Sequence, residues 1–480
     1  MEADTATPAE GAPSGTVRGA YPEEPGVWHP ALGEQPAAID LAALWGLPLY
    51  RVDGDGQLRP GLVDSARVLP GRQGPWEVEL ELRAGRWTDG APVVADDLVA
   101  TFAALRAVGG RHLGTLRAVT ATGRHRVVLA FERPDGRWPH LLAEELAVLP
   151  AHVLQERGLE AYRSGAPVSG GPFRLASYEP GLRAVFVAHR QGPLGPPGVE
   201  RVEVYFTPSY ETALGLLQER RVEVALGYLA LNPIERAERL DDVRAAAPLG
   251  GTWTLLRWRD GGTVGADAPR RHSARDVIDV GELVEGLLGG AGAPQTSTVP
   301  GVAGPWQPVD APAAALDGVA VDLLLPAVEE ALGATARVLQ RHLRGAGAEV
   351  ALVRLDADDV ARRAPTEGDG ALVVRRDGPR PSLLARAPPG ATPETLAVLE
   401  AADAAGTATS DAMARAQQQL HDAAWERPLY RIAVAHAWHE RLLGVAPSAW
   451  PGLALWDVGR WRWGPGGAPP QQPTVQDGDG

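Results

Sequence analysis

The stretch that begins at Trp76 has a clear alternation of apolar and charged residues. The apolar residues occupy every second position: Trp76, Val78, Leu80 and Leu82. This period of two predicts a strand with one buried face. The chain continues through Gly85 and Gly90, and we expect a turn there because glycine accepts positive φ without strain.

A helical spacing follows the turn. Asp96 and Asp97 stand just before an apolar series made of Leu98, Phe102 and Leu105. The spacing predicts a helix, and two carboxylates suit the positive end of a helix dipole. The rest of the first half predicts strands at 16–20, 126–131, 173–178, 184–189, 202–206 and 223–226, and helices at 39–45, 138–147 and 211–219.

The second half of the chain also alternates strands and helices. Residues 252–258 read as a strand, and 274–288 read as a helix from the spacing of Val277, Val280, Val284 and Leu287. A strand, helix and strand at 319–325, 327–343 and 349–355 predict a parallel pair with a right-handed crossover. Further elements are a strand at 371–374, helices at 392–404 and 410–425, and a strand at 429–435.

Composition narrows the function. A chain of 480 residues exceeds the usual size of one core, so two or more lobes are expected. The net charge of -14 argues against nucleic acid as a partner. The chain has no cysteine, which excludes disulfides, thiolate metal sites, cysteine nucleophiles and a lipid-bearing cysteine. Residues 1–14 lack the apolar segment of a signal peptide, and both they and 464–480 read as disordered tails.

Five segments together resemble the family 5 extracellular solute-binding proteins, the peptide- and nickel-binding components of ABC importers. The most specific is LRAGRWTDGAPVVAD at 82–96, continued by Asp97. The others are LWGLPLYRVDGDGQLRPGL at 44–62, PAHVL at 150–154, GGPFRL with YEPG between 170 and 181, and the helix and strand at 212–225.

The resemblance implies an α/β, two-lobed, periplasmic-binding-protein-like fold of type II, of the cluster C or dipeptide/oligopeptide-binding type, with an interlobe ligand cleft. Lobe one is expected at 15–250, with an extra subdomain around 45–170 and a return at 431–463. Lobe two is expected at 251–430. The lobes should be joined by crossing strands near Gly251 and Leu429, so that ligand contacts form when the lobes meet.

Two segments are the leading candidates for ligand contact. Trp253 lies on the first crossing strand and either stacks on a ligand or packs in a lobe core. Arg375, Arg376 and Asp377 follow the strand at 371–374, where relatives often carry a Gly-Trp pair and an aspartate that takes a peptide's amino terminus. Two arginines would suit a carboxylate or phosphate, and the alternative is a pair of solvated loop arginines.

Two further segments are weaker candidates. The loop after the first strand borders the cleft in the family, and it offers Tyr21, Glu23, Trp28 and His29; the alternative is a surface loop. Tyr228 and Asn232 follow the strand at 223–226, where relatives often touch ligand. Trp87 and Asp89 match the family best, and we predict structural roles for them, with Asp89 bonding backbone amides.

No catalytic residue, metal site or cofactor is predicted. The chain has no GxSxG, Walker loop or HExxH motif. His436 and His439 would share a metal only on a helix, whereas the surrounding pattern reads as a strand, which puts them on opposite faces; otherwise they would be surface histidines.

The leading hypothesis is a monomeric binding protein that captures a peptide or another small polar ligand, including an anionic one, for an ABC permease. It would work at the extracellular or periplasmic face of the membrane, with its leader removed. One alternative is a leaderless, cytoplasmic relative recruited as a biosynthetic enzyme. Another is a regulatory partner of a second protein, with a closed or empty cleft.

Overall fold

The computed structural model describes most of the chain between residues 15 and 465. The described ranges are 15–32, 36–69, 76–108, 115–144, 147–229, 233–288, 292–295, 297, 315–326, 330–355, 357–377, 383–405, 411–448, 450 and 453–465.

The first part of the chain alternates short strands with helices. Its elements are β1 (Thr16–Tyr21), α1 (Pro36–Trp45), β2 (Leu47–Pro48), β3 (Tyr50–Val52), β4 (Leu58–Pro60), β5 (Val63–Leu69), β6 (Trp76–Leu82), α2 (Ala95–Ala107), β7 (Leu116–Gly123), β8 (Arg126–Phe131), α3 (Trp138–Glu144), β9 (Ala147–Val148) and α4 (Ala151–Arg157). They are followed by β10 (Phe173–Glu179), β11 (Arg183–Ala188), β12 (Arg201–Phe206), α5 (Tyr210–Gln218), β13 (Val224–Leu229), α6 (Pro233–Ala237) and β14 (Val243–Ala246).

The second part starts with a long strand and ends with a longer one. Its elements are β15 (Leu249–Trp258), α7 (Ala268–Asp276), α8 (Val280–Leu288), β16 (Gly292–Pro294), β17 (Ala320–Pro326), α9 (Glu330–Gly345), β18 (Glu349–Leu355), α10 (Ala357–Arg363), β19 (Gly370–Arg376), α11 (Pro393–Ala405), α12 (Asp411–Ala423), β20 (Glu426–His439), β21 (Leu442–Leu443) and β22 (Arg462–Trp463).

One large sheet runs through the molecule, in the order β10-β11-β12-β1-β13-β20-β15-β19-β17-β18. Strand β20 joins its two halves, because the C-terminal part of β20 pairs with β13 and the N-terminal part pairs with β15. Strands β15 and β20 therefore lie side by side, as predicted for the crossing strands near Gly251 and Leu429. The predicted βαβ unit is also confirmed: β17 and β18 are parallel and α9 connects them.

The apolar residues form two large cores. The first includes β1, α1, β6 and α2, together with residues near the end of the chain such as Trp461. The second gathers residues from Leu256 to Tyr430 around β17, α8 and α9. A separate, smaller core lies between α11 and α12, and it includes Leu399 and Met413.

The stretch from Trp76 folds as predicted, and Asp97 holds it together. Its carboxylate accepts hydrogen bonds from the indole Nε1 of Trp87 (3.0 Å), the amide of Val94 (2.9 Å) and the amide of Ala151 (2.8 Å). One buried side chain thus ties the turn to the start of α2 and to the start of α4. The structural roles of Trp87, which is buried, and of Asp89, which accepts from the amide of Ala91 (3.0 Å), are confirmed.

Two predicted helices differ from the structure. The helix expected at 274–288 is two helices, α7 and α8, because Asp279 Oδ1 accepts from the amide of Glu282 (3.1 Å) and starts a new helix there. The helix expected at 138–147 ends at Glu144, and Ala147–Val148 instead pairs with β2 as a short strand. Neither break leaves a mark in the hydrophobic spacing.

Candidate ligand-binding site

Trp253 lies where the two halves of the large sheet meet. On β15 it stands opposite Arg375 of β19 on one side and Arg431 of β20 on the other. Its side chain is fully buried. The structure therefore brings together two segments, 253 and 375–377, that the sequence singled out separately.

Asp377 anchors this junction through its backbone and its side chain. Its amide donates to the carbonyl of Gly251 (2.9 Å), which fixes the end of β19 against β15. Its Oδ2 accepts from the indole Nε1 of Trp253 (2.6 Å), and its Oδ1 lies 2.7 Å from Nη2 of Arg386. Both carboxylate oxygens are therefore engaged within the protein.

Arg375 is paired in the same neighbourhood. Its two terminal nitrogens reach the carboxylate of Glu426 at 2.7 and 2.6 Å, and this bidentate arrangement is the strongest form of such a pair. Arg257, opposite Glu426 in the strand register, contributes a second guanidinium at 2.6 Å. The alternative of a solvated loop arginine is wrong for Arg375, because it lies on a strand and is largely buried.

Burial and charge compete at Glu426. Burial alone would favour the neutral acid, but Arg375, Arg257 and Arg386 outweigh it and lower the pKa of Glu426 to about 2. Burial lowers the pKa of Arg386, and Asp377 offsets part of that effect. Three guanidinium groups face two carboxylates, so this set of side chains carries an excess of positive charge.

We call Trp253, Arg257, Arg375, Asp377, Arg386 and Glu426 the junction cluster. The guanidinium carbons of Arg375 and Arg386 lie 5.2 and 5.7 Å from the centre of the Trp253 ring. The result is an aromatic ring surrounded by fixed charges of both signs.

The family model for bacterial extracellular solute-binding proteins, family 5 middle region, matches residues 77–380. This range begins one residue after Trp76, and it includes Trp253 on β15 and Asp377 just after β19. The chain belongs to family 5 of the bacterial extracellular solute-binding proteins.

Two curated relatives of this family 5 protein are also binding proteins by name. A putative binding protein of Brucella melitensis is 30% identical over 131 residues, which is 26% of this chain and 21% of that relative. The probable monoacyl phosphatidylinositol tetramannoside-binding protein LpqW of Mycobacterium tuberculosis is 25% identical over 254 residues, 51% of this chain and 38% of that relative. The chain thus spans about a fifth to two fifths of the length of these relatives.

Solved structures confirm the two-lobed type II fold. The oligopeptide-binding protein AppA of Bacillus subtilis, in complex with a nonapeptide, has a TM-score of 0.77 at 18% identity over 94% of this chain and 99% of its own. The periplasmic EDTA-binding protein EppA has a TM-score of 0.79 at 17% identity over 95% and 98%. NikA of Brucella suis, in complex with Fe(III)-EDTA, has a TM-score of 0.78 at 15% identity over 94% and 100%.

Three of the four first-loop candidates are buried, and two of them, Tyr21 and Trp28, belong to the first apolar core. Tyr21 is buried and donates to Asp40 Oδ2 (2.5 Å), and Trp28 packs edge-on against Tyr178 at 5.1 Å. His29 is buried beside the rings of Trp45 and Tyr162, and burial lowers its pKa to about 4. The surface-loop alternative is therefore wrong for these three residues, whereas Glu23 is exposed.

Of the remaining predicted ligand-contact residues, Tyr228 is described by the structure, whereas Asn232 and the side chain of Arg376 are not. Tyr228 is buried against Tyr210 (5.4 Å), and its hydroxyl donates to the carbonyl of Thr207 (2.8 Å). Asn232 and the side chain of Arg376 lie outside the described residues. A ligand contact by any of the ten predicted residues stays a prediction.

The histidine pair lies on a strand, as the pattern indicated. His436 and His439 both belong to β20, and both are buried, so the alternative of surface histidines is wrong. A ring nitrogen of His436 hydrogen-bonds the carbonyl of Ser448 (2.7 Å). Among the described residues, no group of three or more His, Asp or Glu side chains is arranged to hold a metal ion.

No pattern in the sequence marks three members of the junction cluster: Arg257, Arg386 and Glu426. The first and last face each other only because β15 pairs with β20, about 170 positions away in the chain. Arg386 ends a short 3₁₀ turn, Leu384–Arg386, that no hydrophobic period marks.

Within the described part of the chain, every helix is too short or too polar to cross a membrane.

Proposed function

We propose that this chain is the substrate-binding component of an ABC importer, and that it captures a peptide or another small polar ligand between its lobes. The observation that carries the proposal is the junction cluster, in which Trp253, Asp377 and Arg386 meet where the two halves of the sheet join. The family and its named relatives are binding proteins rather than enzymes, which agrees with this role.

We propose lobe boundaries that follow the two cores. Lobe one comprises 15–250 and 431–463, with an added subdomain around 45–170, and lobe two comprises 251–430. The first core draws on residues between Val17 and Leu226 and again between Leu442 and Trp461, whereas the second draws on Leu256 to Tyr430. Among the described strands, β15 and β20 contain the two proposed boundaries, and these neighbouring strands would bend when the lobes move.

The charges of the junction cluster favour a ligand that is polar and zwitterionic or anionic. Asp377 and Arg375 are each engaged by an internal partner, so a ligand ammonium or carboxylate would have to share or displace that partner. Sharing the internal partner is favoured over displacing it, because a displaced Glu426 or Arg386 would be left as a buried charge without its partner. The ring of Trp253 supplies the apolar contact that polar groups alone lack.

The partners follow from the same role. We propose a monomer that works at the extracellular or periplasmic face of the membrane and hands its ligand to an ABC permease. The AppA structure, which holds a nonapeptide, supports a peptide as one ligand class. The NikA structure, which holds Fe(III)-EDTA, supports a small anionic metal chelate as another.

A thermal-shift screen tests the proposal. The full chain is unfolded in denaturant, washed and refolded to remove any retained molecule, and then heated with pools of dipeptides, longer peptides and polar metabolites, including an extract of its own host. A ligand that binds only the folded state raises the unfolding free energy by RT ln(1 + [L]/Kd), and it therefore raises the melting temperature as its concentration increases. We expect at least one pool to stabilise the protein and to lose its effect on Trp253→Ala; no stabilisation by any pool or extract would contradict the proposal.

A further inference from the structure

A second contact joins the two sides of the molecule away from the crossing strands. The segment between β8 and α3, residues 132–137, lies against the C-terminal end of α11. Arg133 Nε is 2.8 Å from Glu400 Oε1, and the amide of Gly136 donates to the carbonyl of Ala404 (3.0 Å). Arg137 Nη2 is 3.3 Å from Asp403 Oδ2.

The two sides of this contact belong to different apolar cores. Phe131, just before the segment, is part of the first core, whereas Leu399 on α11 is part of the small core between α11 and α12. Helix α12 is in turn held to lobe two, because its last carbonyls accept from Arg271, His272 and Arg275 of α7. The contact is therefore polar and interlobe, and a polar interface between separate cores is the type that opens and closes.

The centre of the contact is a buried triad. The side chains of Asp135, Arg137 and Asp403 are 4%, 8% and 7% exposed. Arg137 places Nε and Nη2 at 3.1 and 2.9 Å from the carboxylate of Asp135, so Asp135 holds the guanidinium within its own lobe. Separating the lobes would expose Arg137 and Asp403 to water, which keeps the cost of opening low.

Asp403 also organises a turn that reaches the junction cluster. Its Oδ1 accepts from the amide of Leu383 (2.8 Å), and its Oδ2 accepts from the amide of Leu384 (3.3 Å). These amides begin the short turn that ends at Arg386, and Arg386 pairs with Asp377 beside Trp253. A continuous series of polar contacts thus runs from Arg137, in lobe one, to Trp253.

We propose that the triad of Asp135, Arg137 and Asp403, flanked by Arg133–Glu400, is an interlobe latch that closes over the cleft. In closing, it orders the turn at 383–386 and so positions Arg386 against Asp377. Arg137 and Asp403 are positioning residues, since they act on the junction cluster through that turn. The effect on ligand rests on the proposed function, whereas the latch rests only on the proposed lobe boundaries.

Gly136 is suited to this close approach. A Cβ built at Gly136 would lie 2.6 Å from the carbonyl oxygen of Ala404, which no side chain tolerates without movement. The methyl group added in Gly136→Ala would therefore clash with Ala404 and push the two lobes apart. Gly136 is itself exposed, so the change does not disturb the first core.

The first experiment measures interlobe distance without any ligand. The chain has no cysteine, so Thr120→Cys on β7 and Ala397→Cys on α11, both exposed, allow a spin label on each lobe. Pulsed electron paramagnetic resonance on the full chain gives the distribution of distances between the two spin labels. We expect the distribution to move to longer distances in Gly136→Ala, in Arg133→Glu and in Glu400→Arg, and to return in the double variant Arg133→Glu/Glu400→Arg.

The charge reversal has a matched control and a second readout. Arg133 and Glu400 are 37% and 42% exposed, so reversing them leaves the cores intact; Arg67→Glu breaks an exposed pair with Glu79 inside one sheet and should leave the label distance unchanged. Amide hydrogen exchange measures how well the turn at 383–386 is ordered. The amides at 383–386 should exchange faster in Arg133→Glu, although residue 133 does not contact them. Their exchange rates should return to the wild-type values in the double variant.

Unchanged distances in all latch variants would overturn the latch. Longer distances with unchanged exchange at 383–386 would overturn the positioning role and keep the latch. Neither readout needs a ligand, so a failure of the proposed binding function would be seen separately, in the thermal-shift screen.

Discussion

The indole Nε1 of Trp253 donates a 2.6 Å hydrogen bond to Oδ2 of Asp377, although the two residues are 124 positions apart in the chain. The pairing of β15 with β19 produces this contact, and the amide of Asp377 bonds Gly251 at the same place. Trp253 is fully buried, and it lies on the strand at which the two halves of the sheet meet. The predictions below start from this junction.

Removing the Trp253 ring should weaken ligand binding in addition to destabilising the fold, since truncating a fully buried tryptophan to alanine costs about 3–5 kcal/mol of stability. In Trp253→Ala, a ligand loses an aromatic contact and Asp377 loses a donor, and we expect a loss of about 2 kcal/mol in binding, roughly a 30-fold rise in Kd. Isothermal titration calorimetry with the ligand found in the screen measures it. Trp258→Phe is the matched control, since Trp258 lies on the same strand in the second core and should change stability only; equal losses of affinity in both variants would contradict the assignment.

Glu426→Gln should destabilise the protein strongly. The change leaves Arg375 buried without its bidentate partner and Arg257 without its carboxylate, and breaking a buried pair in this way costs about 3–5 kcal/mol. Urea unfolding followed by circular dichroism measures the cost. Glu79→Gln, which removes one partner of an exposed pair with Arg67, should cost about 1 kcal/mol or less, and similar values for both variants would count against the buried pair.

Asp97→Ala should cost far more than the neighbouring Asp96→Ala. Asp97 is buried and accepts from the Trp87 indole and from the amides of Val94 and Ala151, so its loss leaves three donors unsatisfied. We expect about 3 kcal/mol or more for Asp97→Ala, whereas the exposed Asp96 contributes only to the helix dipole, at about 0.5 kcal/mol. Urea unfolding of the two variants decides it, and equal costs would show that Asp97 is not the anchor.

Acid should destabilise the fold through two buried histidines. Burial lowers the pKa values of His29 and His436 to about 4, so the folded state keeps them neutral while the unfolded chain binds a proton near pH 6.5. Their contribution is complete above pH 6.5 and is lost as the pH falls towards 4, by about 3 kcal/mol for each histidine. Unfolding free energy measured at pH 7, 6, 5 and 4 should fall steadily; His436→Gln should flatten the fall, and an unchanged slope in that variant would contradict the assignment.

Local patterns predicted much of the fold. The alternation from Trp76 and the helical spacing after Asp97 gave the right elements, because period and capping depend on neighbours in the chain. The same holds for the parallel pair β17 and β18 around α9. The break between α7 and α8 was missed because one side-chain bond, from Asp279 to the amide of Glu282, decides it.

The residues of the junction cluster could be predicted only in part from the sequence, because the contacts among them join distant parts of the chain. Trp253, Arg375 and Asp377 were found from family resemblance, but their partners depend on strand pairings across more than 100 positions. Arg386 comes from a turn with no repeating pattern, and its position depends on Asp403 at the other end of α11. Burial of loop residues such as His29 is likewise a property of the assembled lobe, which no local spacing encodes.

Native mass spectrometry of the full chain purified from its own host, without any denaturing step, tests the central claim most directly. A two-lobed protein that closes on a small polar guest should carry a bound molecule, seen as a discrete mass above that of the chain and released by denaturation. The Trp253→Ala variant from the same host should have lost most of it. A wild-type chain with no added mass, or the same molecule at equal occupancy in both proteins, would contradict the account.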